Sequence, residues 1–238
     1  MEVNQSGKYE TFKEGVIACI PTILGYFGIG LAAGILGKSS GLSILSIVLM
    51  SAIIYGGSSQ FIIIGMLVTN SPFSAIVFTT FLVNARHFLM SLSVSEYFKD
   101  FSLAKSIGIG TLLTDESYGV LMTPIMNGKQ VSFRWVNGLN ITAYLVWIFS
   151  NLLGGLLGNL IPNPDQFGLD FALVAMFIGL IILQIDGALK ANTKKTLIIL
   201  LSVVVSLYIL SNLISIELSV LAATLIGCGI GVFLDDNK

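Results

Sequence analysis

The feature that most constrains this chain is a run of 47 residues without a charged side chain, between Lys38 and Arg86. A bilayer core needs about 20 apolar residues per helical crossing, so this run is long enough for two crossings. The turn-forming residues 69–72 separate the two. Residues 55–60, which are rich in glycine and polar groups, then lie at membrane depth. Such groups are tolerated there only inside protein or beside a cavity, so the run indicates a pocket or a path.

Composition assigns the whole chain to a membrane. Hydrophobic residues make up 55% of the 238 residues, charged residues make up 11%, and the mean hydropathy is +0.91. A soluble domain has roughly a quarter charged residues. The net charge of -1, without a long charged run, gives no reason to expect a nucleic-acid partner. Cys19 and Cys228 lie in apolar stretches without CxxC spacing, so neither a metal nor a cofactor is predicted.

The apolar segments predict an all-α, polytopic membrane bundle of seven to eight spans. Seven segments are strong candidates, at residues 15–37, 42–68, 73–94, 135–161, 171–185, 196–213 and 216–234. An eighth stretch, 106–126, is interrupted by Asp115 and Glu116 and is expected to cross, to re-enter or to lie at the interface. No polar region is long enough for a soluble domain, so residues 1–238 are predicted to form a single transmembrane permease domain.

Positive charges outside the spans indicate the topology. The Lys129/Arg134 and Lys190 to Lys195 clusters are predicted to be cytoplasmic, because cytoplasmic loops carry an excess of Lys and Arg. We prefer eight crossings, with a polar cytoplasmic N-terminus over residues 1–14 and a short polar C-terminus over 235–238 on the same side. That topology places Lys99 outside, against the rule. If 106–126 re-enters instead, the N-terminus lies outside.

The second candidate span contains the polar group of most interest. Gly56 and Gly57 predict a broken or re-entrant helix, whose free amides and positive dipole end suit an anion. The next three side chains, of Ser58, Ser59 and Gln60, add hydrogen-bonding groups. Alternatively, the serines bond to their own helix and the glycines only pack. Before this span, the glycines after Pro21 favour a tightly packed first helix.

Charged and polar residues reappear at two places. Asn84 and His87 share a helix face in the third span, with Arg86 beside them. Arg86 either snorkels to a headgroup or requires a counter-charge in the membrane, for which Asp115 and Glu116 are the candidates. Alternatively, those carboxylates mark a helix N-terminus at the interface, capped by Thr114 or Asp115.

Four motifs resemble the AzlC family of bacterial branched-chain amino acid exporters. They are PTILGYFGIG at 21–30, MSAIIYGGSSQF at 50–61, FLVNARH at 81–87 and LTDE at 113–116. The resemblance implies a multi-pass protein of the bacterial inner membrane that works with a small AzlD-type subunit. It also implies export of leucine, isoleucine, valine or analogues, coupled to the proton gradient. Family members often have Ala at Gly57 and Ser59 and Leu at Ala85, which leaves the size of the pocket open.

The combined prediction is a permease that exports an apolar amino acid. Residues 56–60 are expected to supply donors to the substrate carboxylate, Asn84 and Asp115 to hold its ammonium, and Tyr26 and Tyr55 to form walls. His87 or Asp115 is predicted to carry the coupled proton. The alternatives are a transporter of a different small metabolite, a channel or structural subunit, and an intramembrane hydrolase. The hydrolase would use Ser58 or Ser59 as nucleophile and His87 as base.

Overall fold

The computed structural model describes residues 9–160, 171–214 and 216–236. The predicted ends at 1–8 and 237–238 and the connection 161–170 lie outside these ranges. The described part is helical and contains no strand, which confirms the all-α membrane class. Its α-helices are α1 Phe12–Ala18, α2 Ile20–Ser39, α3 Ile44–Ile53, α4 Gly57–Val68, α5 Phe73–Ser95, α6 Leu103–Thr111, α7 Asp115–Met126, α8 Phe133–Leu157, α9 Ala172–Leu210 and α10 Ile216–Asp236.

Among the described residues, four helical segments are long and apolar enough to cross a bilayer alone. They are Ile20–Ser39, Phe73–Phe98, Phe133–Leu157 and Asn192–Leu210. Helices α3, α4, α6 and α7 have only 9 to 12 residues each. At a rise of 1.5 Å per residue each covers about half of a hydrocarbon core of about 30 Å. A crossing in these regions therefore needs two such helices in succession.

The first break separates α3 from α4, and it confirms the predicted break near Gly56 and Gly57. Gly56 is extended, with φ -158°, and it is the N-cap of α4. Tyr55, just before it, has φ +44°. An aromatic residue in the left-handed region costs about 1–3 kcal/mol, and such a conformation persists only where the surroundings enforce it. The chain therefore turns between two half-helices at this point.

A second break, between α6 and α7, lies inside the stretch 106–126. Thr114 is the N-cap of α7, and its hydroxyl accepts a hydrogen bond from the Ser117 amide. The Ser117 hydroxyl in turn accepts from the Thr114 amide, so the two residues form a capping box. The alternative of a helix N-terminus capped by Thr114 is therefore the observed local structure. Both breaks are three residues long, and a long helix follows each second half.

Helix α8 packs closely against α1 and α2 through small residues. Gly34 on α2 lies so close to the backbone of Asn151 and Gly155 on α8 that a β-carbon there would collide with it. Gly138 on α8 lies equally close to the backbone of Phe12 on α1. Glycines of this kind let membrane helices approach backbone to backbone, as predicted for the first span. Helix α8 also contacts α3, α6 and α7, so it lies beside both breaks.

The chain divides into two compact units, Met1–Met176 and Phe177–Lys238. Both helix breaks belong to the first unit. In the second unit Gly227 on α10 packs against Val203 on α9, where a β-carbon would collide with the valine side chain. Helix α9 is kinked at Asn192, whose φ of -159° and ψ of 91° are not helical. The prediction of one permease domain over 1–238 stays a prediction.

Candidate functional site

A small pocket lies where the two helix breaks meet in the first unit. Its lining residues are Tyr26, Tyr55, Gly56, Gly57, Arg86, His87, Thr114, Asp115, Glu116 and Trp147. Its free volume is about 10 Å³, which is room for about one water molecule. The fold therefore brings four separate sequence motifs to one point. Of the lining residues, Trp147 was not predicted from the sequence, and Thr114 was predicted only as a helix cap.

Arg86 on α5 connects the two breaks. Its Nη2 lies 2.9 Å from Asp115 Oδ2, at the start of α7. The same nitrogen donates a hydrogen bond of 2.8 Å to the Ser58 hydroxyl, in the first turn of α4. The Arg86 and Asp115 side chains are only 29% and 15% exposed, respectively. The Arg86 side chain is therefore directed into the protein and paired with the predicted counter-charge. This geometry does not match the alternative in which Arg86 snorkels to a headgroup.

Glu116 has a different partner from its neighbour Asp115. The Tyr26 hydroxyl donates a hydrogen bond of 2.9 Å to Glu116 Oε2 and lies 2.5 Å from the Thr114 hydroxyl. Tyr26 is 3% exposed. Adjacent residues on a helix point about 100° apart, which is why the two carboxylates reach separate groups. One carboxylate is thus tied to an arginine and the other to a buried phenol.

The two helix N-termini at the pocket differ in their electrostatics. Helix α4 begins at Gly57 without a side-chain cap, because its N-cap residue is Gly56. Its first amides and its dipole are therefore suited to a negatively charged group. Helix α7 is already capped by Thr114 and carries Asp115 and Glu116 in its first turn. The pocket therefore has an end suited to an anion and an end suited to a cation.

Ser59, Gln60 and Asn84 lie behind the pocket and do not appear in its lining. The Ser59 hydroxyl donates a hydrogen bond to Asn84 Oδ1, which ties α4 to α5. Gln60 is fully buried, accepts a hydrogen bond of 2.6 Å from Trp147 Nε1 and donates one of 3.2 Å to Asn151 Oδ1. These three predicted residues therefore connect α4 to its neighbours. Ser58 likewise lies behind the lining, as the acceptor for Arg86.

The arrangement of the serines does not match a nucleophile and base. Ser58 accepts from Arg86 and Ser59 donates to Asn84. Within the described residues neither serine forms a hydrogen bond with His87. A serine nucleophile needs an adjacent base within hydrogen-bond reach. The hydrolase alternative therefore receives no support from this geometry.

A polar stripe on α8, which was not predicted from the sequence, supports both breaks. The Tyr144 hydroxyl donates a hydrogen bond of 2.9 Å to the Ala52 carbonyl, in the last turn of α3. Asn140 Nδ2 donates one of 3.2 Å to the Ile109 carbonyl, in the last turn of α6. A helix end leaves carbonyls without partners, so each of these side chains caps one broken helix. Their spacing in the sequence was a signal for this stripe. Residues at helical intervals share one face of a helix, as do Asn140, Tyr144, Trp147 and Asn151.

Apolar helices in succession, interrupted by two breaks that meet at a pocket with an ion pair, define a multi-pass membrane protein of the transport class. The chain belongs to the AzlC family, whose model, described as AzlC protein, matches residues 21–161. It is 27% identical to inner membrane protein YgaZ of Escherichia coli (strain K12) over 92% of this chain and 88% of that protein. No solved structure matches it.

Two further relatives cover less of the chain. One is the branched-chain amino acid transport protein AzlC of Bacillus subtilis (strain 168), with 27% identity over 74% of this chain and 68% of that protein. The other is an uncharacterized membrane protein of Archaeoglobus fulgidus, with 30% identity over 76% of this chain and 78% of that protein. The matched family region, 21–161, contains both breaks and every residue that lines the pocket.

Proposed function

We propose that the protein is a carrier for amino acids with apolar, branched side chains, and that the zwitterionic part of the substrate binds at the two helix breaks. The observation that carries the proposal is the pairing of two unlike helix N-termini across one pocket. A zwitterion presents an anion and a cation a few ångströms apart, and the pocket offers a complementary group for each. The printed name of the Bacillus subtilis relative supplies the branched-chain class.

Each lining residue has a role in this proposal. The substrate carboxylate binds the first amides of α4, at Gly57, and the Arg86 guanidinium. The ammonium binds Asp115 and Glu116, while the Tyr26 and Tyr55 rings form walls. Asn84 and Gln60, which the sequence assigned to direct contact, act instead by holding α4 in place, because their side chains bond to Ser59 and to Trp147.

The pocket has too little free volume for an amino acid, so the carrier must open. A free volume of about 10 Å³ corresponds to a closed state of the site. Binding requires Arg86 and Asp115 to give up their mutual contact. Arg86 then contacts the substrate carboxylate, and Asp115 contacts the substrate ammonium. A carrier of this kind alternates between states that differ in affinity and access. This requirement separates the proposal from a permanently open pore.

Export, coupling to protons and a small AzlD-type partner subunit complete the proposal. They follow from the resemblance to the exporter family, and the coupling has a candidate group in the site. His87 lines the pocket beside Arg86, and histidine is the side chain whose charge changes most readily near neutral pH. Asp115 is the second candidate, because its carboxylate can take up a proton in a state in which the 2.9 Å contact with Arg86 is broken.

Counterflow of labelled leucine into proteoliposomes tests the proposal. The protein is reconstituted alone and with a co-expressed AzlD-type subunit, and efflux is then measured across pH for His87→Asn and Asp115→Asn. We expect saturable exchange of leucine, isoleucine and valine, with an altered pH dependence in at least one variant. No exchange in either preparation overturns the carrier, and non-saturating flux insensitive to the proton gradient indicates a pore. An unchanged pH profile in both variants overturns the proton assignment.

A further inference from the structure

A second, larger cavity adjoins the polar pocket. This cleft has a free volume of about 270 Å³ and is lined by Ala52, Ile53, Ile54, Tyr55, His87, Gly110, Thr111, Leu112, Leu113 and Tyr144. Tyr55 and His87 line both cavities. The cleft therefore borders the site described above, and its free volume is far larger than that of the polar pocket.

The cleft has both apolar and polar walls, and its apolar side chains come from the two helix breaks. Ile53 and Ile54 stand at the end of α3, opposite Leu112 and Leu113 at the end of α6. Of the polar groups, the Tyr144 hydroxyl is already bonded to the Ala52 carbonyl. Non-helical backbone at membrane depth is tolerated only where it is buried in protein or lines a cavity. Both breaks meet that condition by facing this cleft.

Tyr55 lies at the border between the polar pocket and the cleft. It is 6% exposed, its ring packs edge to face on Tyr144 with centroids 4.9 Å apart, and its φ of +44° is left-handed. Its hydroxyl lies near the Tyr26 and Thr114 side chains and forms no hydrogen bond of ordinary geometry with a described residue. A buried phenol usually finds a partner, and a strained backbone conformation persists where the structure enforces it. Tyr55 is therefore placed with a polar group left available beside two cavities of different chemistry.

We infer that the cleft receives the hydrocarbon side chain of the transported amino acid, and that Ile54 and Leu112 set the size of side chain accepted. This inference rests on the proposed function, because it adds an apolar subsite to the polar site for the zwitterion. The charged end of the substrate lies on one side of Tyr55 and His87, with its side chain on the other. The Tyr55 hydroxyl donates to the substrate carboxylate, which gives this buried group a partner.

Substitutions on the two walls test the inference. In the counterflow assay, exchange is measured for alanine, valine, leucine and phenylalanine, and each variant is judged by the ratio between substrates, so that expression level cancels. Ile54→Ala enlarges the cleft and should raise the exchange of phenylalanine relative to that of leucine about tenfold. Leu112→Phe narrows the cleft and should lower the exchange of leucine relative to that of alanine about tenfold. A difference of a few methylene groups in an apolar pocket gives discrimination of this size.

Leu49→Ala is the matched control, because Leu49 lies on α3 but is 47% exposed and outside the cleft lining. If one wall variant fails to fold, the variant on the opposite wall decides the question. Substrate ratios in Ile54→Ala and Leu112→Phe that stay within about twofold of the control overturn the assignment of the cleft to the substrate side chain. The proposed carrier function is then unaffected. Absence of wild-type exchange for every amino acid overturns the proposed function, and the cleft assignment with it.

Discussion

At the scale of single residues, the Arg86–Asp115 pair is the most consequential contact of the site. Two charges taken out of water lose hydration, and their attraction offsets this only if further hydrogen bonds complete the geometry. Here Ser58 accepts from Arg86 at 2.8 Å. The pair also connects α5 to α7 and, through Ser58, to α4. It therefore couples the charge balance of the pocket to the positions of both half-helices.

Removing one partner of this pair should be worse for stability than removing both. Arg86→Ala leaves the Asp115 carboxylate, 15% exposed, without its counter-charge, and we expect it to lower the free energy of unfolding by about 1–3 kcal/mol, allowing for partial exposure. The double variant Arg86→Ala/Asp115→Ala should recover at least about half of that loss and still not transport. Thermal unfolding in detergent and counterflow measure the two effects. A double variant less stable than either single variant would contradict the prediction.

This pair was predictable from sequence because Arg86 and Asp115 each lie in an otherwise apolar stretch, where a charge generally needs a partner. The contacts of Gln60 were not. It lies three residues after Gly57 on a helix without a distinct polar face, so the sequence gives no direction for its side chain. In the fold it points to Trp147 and Asn151 on α8 and away from the pocket. The orientation of polar residues in an apolar helix depends on packing that only the tertiary structure determines.

At the scale of helices, the pattern of a broken helix followed by a long helix occurs twice. His87 and Trp147 are each the fifteenth residue of their long helices, α5 and α8, and both line the pocket. The first break was predictable because Gly56 and Gly57 signal it. The second contains Leu112, Leu113 and Thr114, without glycine or proline, and its only local signal is the capping box at the start of α7. The repeat of a broken helix followed by a long helix is therefore clear in the fold but only weakly indicated by the sequence.

Capping of the broken helices by α8 predicts a specific loss of stability. Tyr144→Phe removes the hydroxyl that bonds to the Ala52 carbonyl at 2.9 Å, and we expect it to lower the free energy of unfolding by about 1–3 kcal/mol. The matched control is Tyr208→Phe, because Tyr208 is 75% exposed and its change should leave stability within about 0.5 kcal/mol. Thermal unfolding of the purified variants in one detergent compares them. Equal midpoints for both variants would show that the cap contributes nothing.

At the scale of the whole molecule, the open question from sequence was whether residues 106–126 cross the membrane. Helices α6 and α7 together run from Leu103 to Met126, and α3 and α4 run from Ile44 to Val68. The two pairs have nearly the same length, about 35 Å if laid end to end at 1.5 Å per residue, which suffices for one crossing. Each is followed by a long apolar helix. The repeat therefore favours a full crossing for α6 and α7, against a re-entrant loop.

Labelling of single cysteines decides between these topologies, because Lys99 precedes α6 and Lys129 follows α7. In a background with Cys19→Ala and Cys228→Ser, we expect a membrane-impermeant maleimide to label Lys99→Cys in intact cells and Lys129→Cys only after permeabilisation. That result places the two lysines on opposite sides, with Lys129 in the cytoplasm, as an even number of preceding crossings requires. Labelling of both positions from the same side would mean that α6 and α7 re-enter. In that case the two breaks differ in topology, although their half-helices still meet at the same pocket.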